Sequence, residues 1–202
     1  MKFAASITAL SCLSLGAFGF VTSVKSPLEG YTVREASWEV QATPGGPTVV
    51  LNGTVQDVHA QLVKLNPDWE AQFADDGSRE NNAATLEKRT DFMGSGYVCG
   101  GRWKECDLDR LIEGIRYLRN VTATQPYADG GTGICSRVSC SYNAAIWWCN
   151  DDPSPKQLVS FGSIADGVQY LIFMCQALGK PTFSGQVFHS THWNVVATAA
   201  EC

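Results

Sequence analysis

Three stretches of the chain carry a helical rhythm of apolar positions. In "VQDVHAQLVKL", Val55, Val58, Leu62 and Leu65 fall on one face, and Asn66-Pro67 ends the run. In "DLDRLIEGIRYLRN", Leu108, Leu111, Ile112, Ile115 and Leu118 form a second stripe. Asp107 stands where an N-cap is wanted, and Arg119 lies near the negative end of the dipole. In "SIADGVQYLIFMC", Ile164, Val168, Leu171, Ile172 and Cys175 form a third, with Ser163 and Asp166 as a weak capping box. Between these runs lie strand-like segments: "TVVLNGTV", "GYVCGGRW", "GQVFHS" and "WNVVATA". The stretch "ICSRVSCSYNAAIWWCN" predicts two strands around a turn near Tyr142-Asn143-Ala144. "ATPGGPT", "ADGGTG" and "DDPSP" are turn-rich breaks.

From Gly96 onward the order is strand, helix, strand, strand, helix, strand, with one extra terminal strand. This predicts an α+β domain in which an antiparallel sheet carries two helices on one face, the split βαβ arrangement.

Period-two alternation then sorts the hairpin. Val138, Cys140, Ile146 and Trp148 are expected on one face, and Cys135, Ser139, Trp147 and Cys149 on the other. With Cys175 directed into the core, the expected bridges are Cys140–Cys175, Cys135–Cys149 and Cys99–Cys202. Cys106 is left over. Other pairings remain open, because a one-residue shift of the turn reverses the faces. Each bridge is worth about 2–4 kcal/mol.

Compartment follows from the first residues. Lys2 precedes the apolar "FAASITALSCLSLGAFGF", and small residues follow, so residues 1–23 read as a secretory signal peptide, with a membrane anchor as the competing reading. Of the eight cysteines, Cys12 would leave with it, and the other seven suit disulfides in an oxidising compartment better than a zinc site. The net charge of −5 argues against nucleic-acid binding through phosphates. No basic run suggests an anionic membrane, and no later stretch can insert stably into a bilayer.

The chain divides at "LEKRTDF", where Lys88-Arg89 is its only pair of adjacent basic residues. Residues 24–89 have no cysteine, contain one amphipathic helix and end in the polar "AQFADDGSRENNAATL". Residues 90–202 hold every cysteine except Cys12.

Candidate chemistry is sparse. His189 and His192 in "HSTHW", beside Trp193, could serve an extracellular hydrolase or nuclease with Glu105 or Glu113 as acid and base, although the sequence places neither carboxylate near them. Exposed loop histidines are the plainer reading, and a metal site would need further ligands. Cys106 as a nucleophile competes with Cys106 as an unpaired leftover. "Gly130-Gly131-Thr132-Gly133" lacks the lysine and helix context of a phosphate cradle. No cofactor is expected. Of Trp147 and Trp148, one ring should be core. The other either anchors a protein or sugar partner or packs under the far side of the sheet. Asn52 and Asn120 head glycosylation sequons.

The segments "LNGTVQDVHAQLVKLNPDW", "EKRTDFMGSG", "EGIRYLR", "CSRVSCSYNAAIWWCND", "SFGSIADGVQYL" and "WNVV" resemble a family of small secreted cysteine-rich proteins of filamentous fungi, grouped with candidate effectors. The element order also resembles the α/β-sandwich of smut-fungus killer toxins. Family members often lack a cysteine at the position of Cys106. The resemblance implies secretion and a disulfide-stapled fold. It also implies cleavage after Lys88-Arg89 by a Golgi protease that cuts after Lys-Arg, giving a pro-segment, 24–89, and a mature domain, 90–202; a solvated surface pair is the competing reading of the doublet. The function implied is an effector or toxin-like binding protein acting outside the cell on a protein or cell-surface component of a host or competitor. An inhibitor of secreted host proteases is a special case of the same reading.

Overall fold

The computed structural model describes residues 24–75, 89–121, 125–176 and 179–202. The proposed signal peptide and Lys88 lie outside the described residues. Four helices occur among them: α1 (Val55–Leu65), α2 (Trp69–Asp75), α3 (Leu108–Asn120) and α4 (Gly162–Cys175). The strands are β1 (Thr32–Val33), β2 (Ser37–Gln41), β3 (Thr48–Asn52), β4 (Tyr97–Cys99), β5 (Cys106–Asp107), β6 (Tyr127–Ala128), β7 (Ile134–Ser141), β8 (Ala144–Asn150), β9 (Lys156–Gln157), β10 (Thr182–Phe183), β11 (Gly185–His189) and β12 (Trp193–Ala199).

The main sheet has the order β1-β7-β8-β12-β11-β4 and is antiparallel except for the β1–β7 pair. The α+β class, the antiparallel sheet and both helices packed on one face agree with the sequence. The strand order does not match the expected split βαβ. β4 sits at an edge, and the terminal strand β12 takes the centre. Length and burial explain this. β4 has three residues with mostly exposed side chains, whereas six of the seven residues of β12 are buried.

Helix faces and caps follow the sequence closely. Thr54 caps α1 in a capping box with Asp57, and Asp107 caps α3 by accepting from the Arg110 N–H. The α4 box does not form. Its N-cap is Phe161, with no side-chain bond, and the Asp166 carboxylate is used elsewhere. Two glycines let helices approach the sheet. A Cβ on Gly114 would lie 2.6 Å from Ser139 Oγ, and one on Gly167 2.8 Å from Val195 Cγ2.

The β7–β8 hairpin turns at Tyr142-Asn143, both with positive φ (46° and 62°), as a two-residue type I′ loop requires. One feature of β7 escaped period-two reasoning. A bulge between Arg137 and Ser139 shifts the register, so Arg137 faces Trp147 while Ser139 faces Ile146. Past the bulge every side chain changes face. Val138, Ile146 and Trp148 join the core beneath the helices, as expected, but Cys140 turns to the opposite face with Cys135, Trp147 and Cys149. The bulge is braced from α1: Gln56 Oε1 accepts from the Cys140 N–H (3.0 Å), and Gln56 Nε2 donates to Ser139 Oγ (2.8 Å).

The disulfides follow from that switch. Cys135–Cys149 forms as expected. The expected Cys140–Cys175 and Cys99–Cys202 bridges are replaced by Cys140–Cys202 and Cys99–Cys175. Cys140 lies across the sheet from α4 and cannot reach Cys175, so it takes Cys202, leaving Cys175 to the edge strand. Cys106 is the odd cysteine and is buried.

Residues 24–75 are not a separate body. Trp38, Val55, Val58 and Leu62 are fully buried in the same cluster as residues of α3, α4 and the sheet. Trp38 stacks on Phe161 with ring centroids 3.6 Å apart. Leu28, Tyr31 and Val33 cover the other sheet face together with Trp103.

Candidate functional site

The stretch just after the basic doublet and the β11–β12 turn form one cleft of about 800 Å³. Its walls include Arg89, Thr90, Asp91, Val159, His189 and His192. An Asx turn starts one wall, with Asp91 Oδ1 accepting from the Met93 N–H (2.8 Å). On the other, His192 adopts φ +59° and closes the turn by donating its N–H to the His189 carbonyl (3.2 Å).

Behind the wall lies an aromatic cluster. The His189 ring stacks on Trp193 (4.8 Å between centroids) and meets the edge of Phe92 (5.2 Å). Trp193 Nε1 donates to Thr191 Oγ1, which leaves that hydroxyl to donate to His189 Nδ1 at 2.9 Å. The Thr191 N–H points at the same nitrogen from 3.2 Å. Two donors on Nδ1 leave the ring proton on Nε2. Burial pushes the His189 pKa below its ordinary value, helped by the positive charge of Lys156 and opposed by Asp91. His189 is therefore a neutral imidazole with Nδ1 already engaged.

The acid–base pair weighed from the sequence is not assembled. Glu105 is held by Lys180 (2.5 Å) and Thr182 (2.8 Å), which lower its pKa, and Glu113 pairs with Arg110 (3.2 Å). Neither lines the cleft, and Asp91, the carboxylate that does, was not among the sequence candidates. Among the described residues no group of three or more His, Cys, Asp and Glu could hold a metal ion.

What the cleft does present is apolar surface. Met93 is 87% exposed, Val159 65% and Phe188 39%, all on its walls. None was singled out by sequence, because isolated apolar residues in loops carry no periodic signal.

The tryptophans behave otherwise than as surface anchors. Trp147, Trp148 and Trp193 are all buried. Trp148 lies under the helices, and Trp147 lies under the N-terminal segment on the far face. The seven residues of β8, "AAIWWCN", form a continuous run rather than an alternation, the mark of a strand covered on both sides.

Cys106 Sγ contacts the Phe183 carbonyl (3.5 Å), and burial pushes its thiol pKa up to about 12. Such a thiol stays protonated and unreactive. Asn52 and Asn120 are both exposed, at the end of β3 and the end of α3.

A second cleft, of about 700 Å³, lies on the far face, with Lys25, Arg102, Lys104 and Arg137 on its walls. Arg137 reaches over the Trp147 ring (5.9 Å) and donates to the Glu201 carbonyl (2.6 Å). Glu201 also lines this cleft, so its four basic side chains face an acidic one there.

No family model, curated protein or solved structure matches this chain.

Proposed function

We propose that this is a secreted, disulfide-stapled binding protein of the fungal effector or toxin-like kind. It is matured by cleavage after Lys88-Arg89 and docks an extracellular protein through the Met93–Val159–Phe188 cleft. The carrying observation is that three exposed apolar side chains surround one cleft immediately behind the doublet. Apolar side chains exposed together around one cleft are the usual makings of a protein-docking surface. Three disulfides suit an oxidising compartment, and among the described residues no helix is long and apolar enough to cross a membrane.

The test applies purified protein to host tissue or competitor cells and scores their response for M93D/F188D and for H189A/H192A, with folding checked by circular dichroism. Loss of response in M93D/F188D alone supports docking. Loss in H189A/H192A alone, with the fold kept, would replace it by the hydrolase or nuclease reading. Retained response in both sinks the proposed surface.

A further inference from the structure

Three observations bear on what the cut does. First, residues 24–75 are built into the body of the protein. Besides the Trp38–Phe161 stack, β1 extends the main sheet: the Thr32 N–H donates to the Gly133 carbonyl (2.7 Å) and the Arg34 N–H to the Cys135 carbonyl (2.9 Å). Tyr31 Oη donates to Asp151 (2.7 Å), and Gln56 braces the bulge in β7. Secondly, all three disulfides join residues after Arg89, so none ties 24–75 covalently to the remainder. Thirdly, the Thr90 N–H donates to Asp166 Oδ2 (2.8 Å), while Asp166 Oδ1 takes Arg119 Nη2 (2.7 Å). The Asp166 side chain is only 11% exposed, whereas Arg89 stands in solvent.

We infer that cleavage after Arg89 does not release the N-terminal segment. It converts the chain into a two-chain protein held without covalent links, in which the new Thr90 ammonium pairs with Asp166. The inference rests on the processing reading above. The chemistry is a hydrolysis by a Lys-Arg-directed endoprotease. Water adds at the Arg89 carbonyl carbon, and the C–N bond to Thr90 breaks. Arg89 keeps a carboxylate, and the departing amine takes a proton to become an ammonium.

The acceptor for that ammonium is in place before the cut. A neutral amide donor becomes a charged one on the same carboxylate oxygen, and charge-assisted bonds of this kind are about twice as strong as neutral ones. Departure of 24–89 would meanwhile strip Phe161 and the α3 face of their cover. It would also leave the Cys140 N–H without the Gln56 acceptor. Both effects favour retention. Arg89 and Thr90 both line the 800 Å³ cleft, so the cut frees one wall while pinning the next residue. Processing thus alters the docking cleft and leaves the fold assembled.

The test uses the chain from residue 24 onward, digested with a purified Lys-Arg-specific endoprotease. Denaturing mass spectrometry should show two chains, the second beginning at Thr90. Native mass spectrometry and gel filtration should show one particle with the mass of the intact chain plus one water. Asp166→Asn should lower the melting temperature more in the cut form than in the uncut form. Separation of the segments on gel filtration at micromolar concentration, or resistance of the bond to the protease, overturns the two-chain form. Equal melting shifts in cut and uncut protein overturn the ammonium–Asp166 pair. The processing reading is judged separately, on protein secreted by its own source. An uncut secreted chain would end that reading and leave the digest to decide the two-chain one.

Discussion

Trp38→Ala in the intact chain probes whether the cysteine-free segment helps hold the cysteine-bearing half together. The Trp38 side chain is fully buried against Phe161, and its indole N–H donates to the Gly53 carbonyl (2.9 Å). A buried tryptophan removes about 150–250 Å² from water. At roughly 25 cal/mol per Å² that is about 4–6 kcal/mol, in line with the ~3–5 kcal/mol seen when core aromatics are cut to alanine. Small domains have only about 5–15 kcal/mol in total, so the loss should be a large fraction of stability. Urea unfolding followed by near-ultraviolet circular dichroism, with the disulfides intact, measures it. We expect one transition, moved to lower urea by about 4 kcal/mol. Phe161→Ala and the double variant complete a cycle, with a coupling of about 0.5–1.5 kcal/mol for the ring pair. A loss under about 1 kcal/mol would refute the reasoning. So would two separate transitions with the second unchanged, because residues 90–202 would then be stable without their neighbour.

Four further outcomes follow. Gln56→Ala should cost about 1–3 kcal/mol in the same urea assay, because it strips the buried bulge of its acceptor and donor. Without reductant, a thiol reagent should label no cysteine in the native described core and one, Cys106, after unfolding; fast native labelling contradicts the burial assigned to it. Because the folded His189 has a lowered pKa, the unfolded chain binds its proton first as pH falls. Its contribution is therefore present above the ordinary histidine pKa and is lost as pH falls through the lower folded value. His189→Gln should flatten that acid-side slope of melting temperature, and an unchanged slope would show that other groups cause it. Gly114→Ala should destabilise measurably by forcing α3 off Ser139 and Ile146, detected as a lowered melting temperature.

Much of the architecture was legible because its causes are local. Apolar spacing placed α1, α3 and α4, Asp107 marked a cap, and Tyr142-Asn143 marked the hairpin. The bulge was not legible, because its partner is Gln56, 83 residues from Ser139 in sequence. With the bulge went the face of Cys140 and two of the three pairings. The Asp166 role was hidden for the same reason, since its partners Thr90 and Arg119 lie 76 and 47 residues away. The cleft was legible only in part. "HSTHW" drew attention to one wall, while Met93 and Val159 are lone apolar residues in loops with no pattern to betray them. The doublet marks a change in composition that is not a boundary of packing. Cysteine density records where covalent links lie, and Trp38 shows that the core extends past them.

The two borders of the main sheet have a consequence for association. One border is the two-residue β1, lying in parallel beside the eight-residue β7. The other is the three-residue β4, clamped to α4 through Cys99–Cys175. Outer strands this short offer few residues for an incoming strand to pair with, which works against edge-to-edge polymerisation. Loss of the N-terminal segment would weaken that guard by removing β1 from Ile134-Cys135 and Gln56 from Ser139-Cys140, which leaves the eight-residue β7 as the border. Keeping the segment therefore keeps strand addition at this border unfavourable.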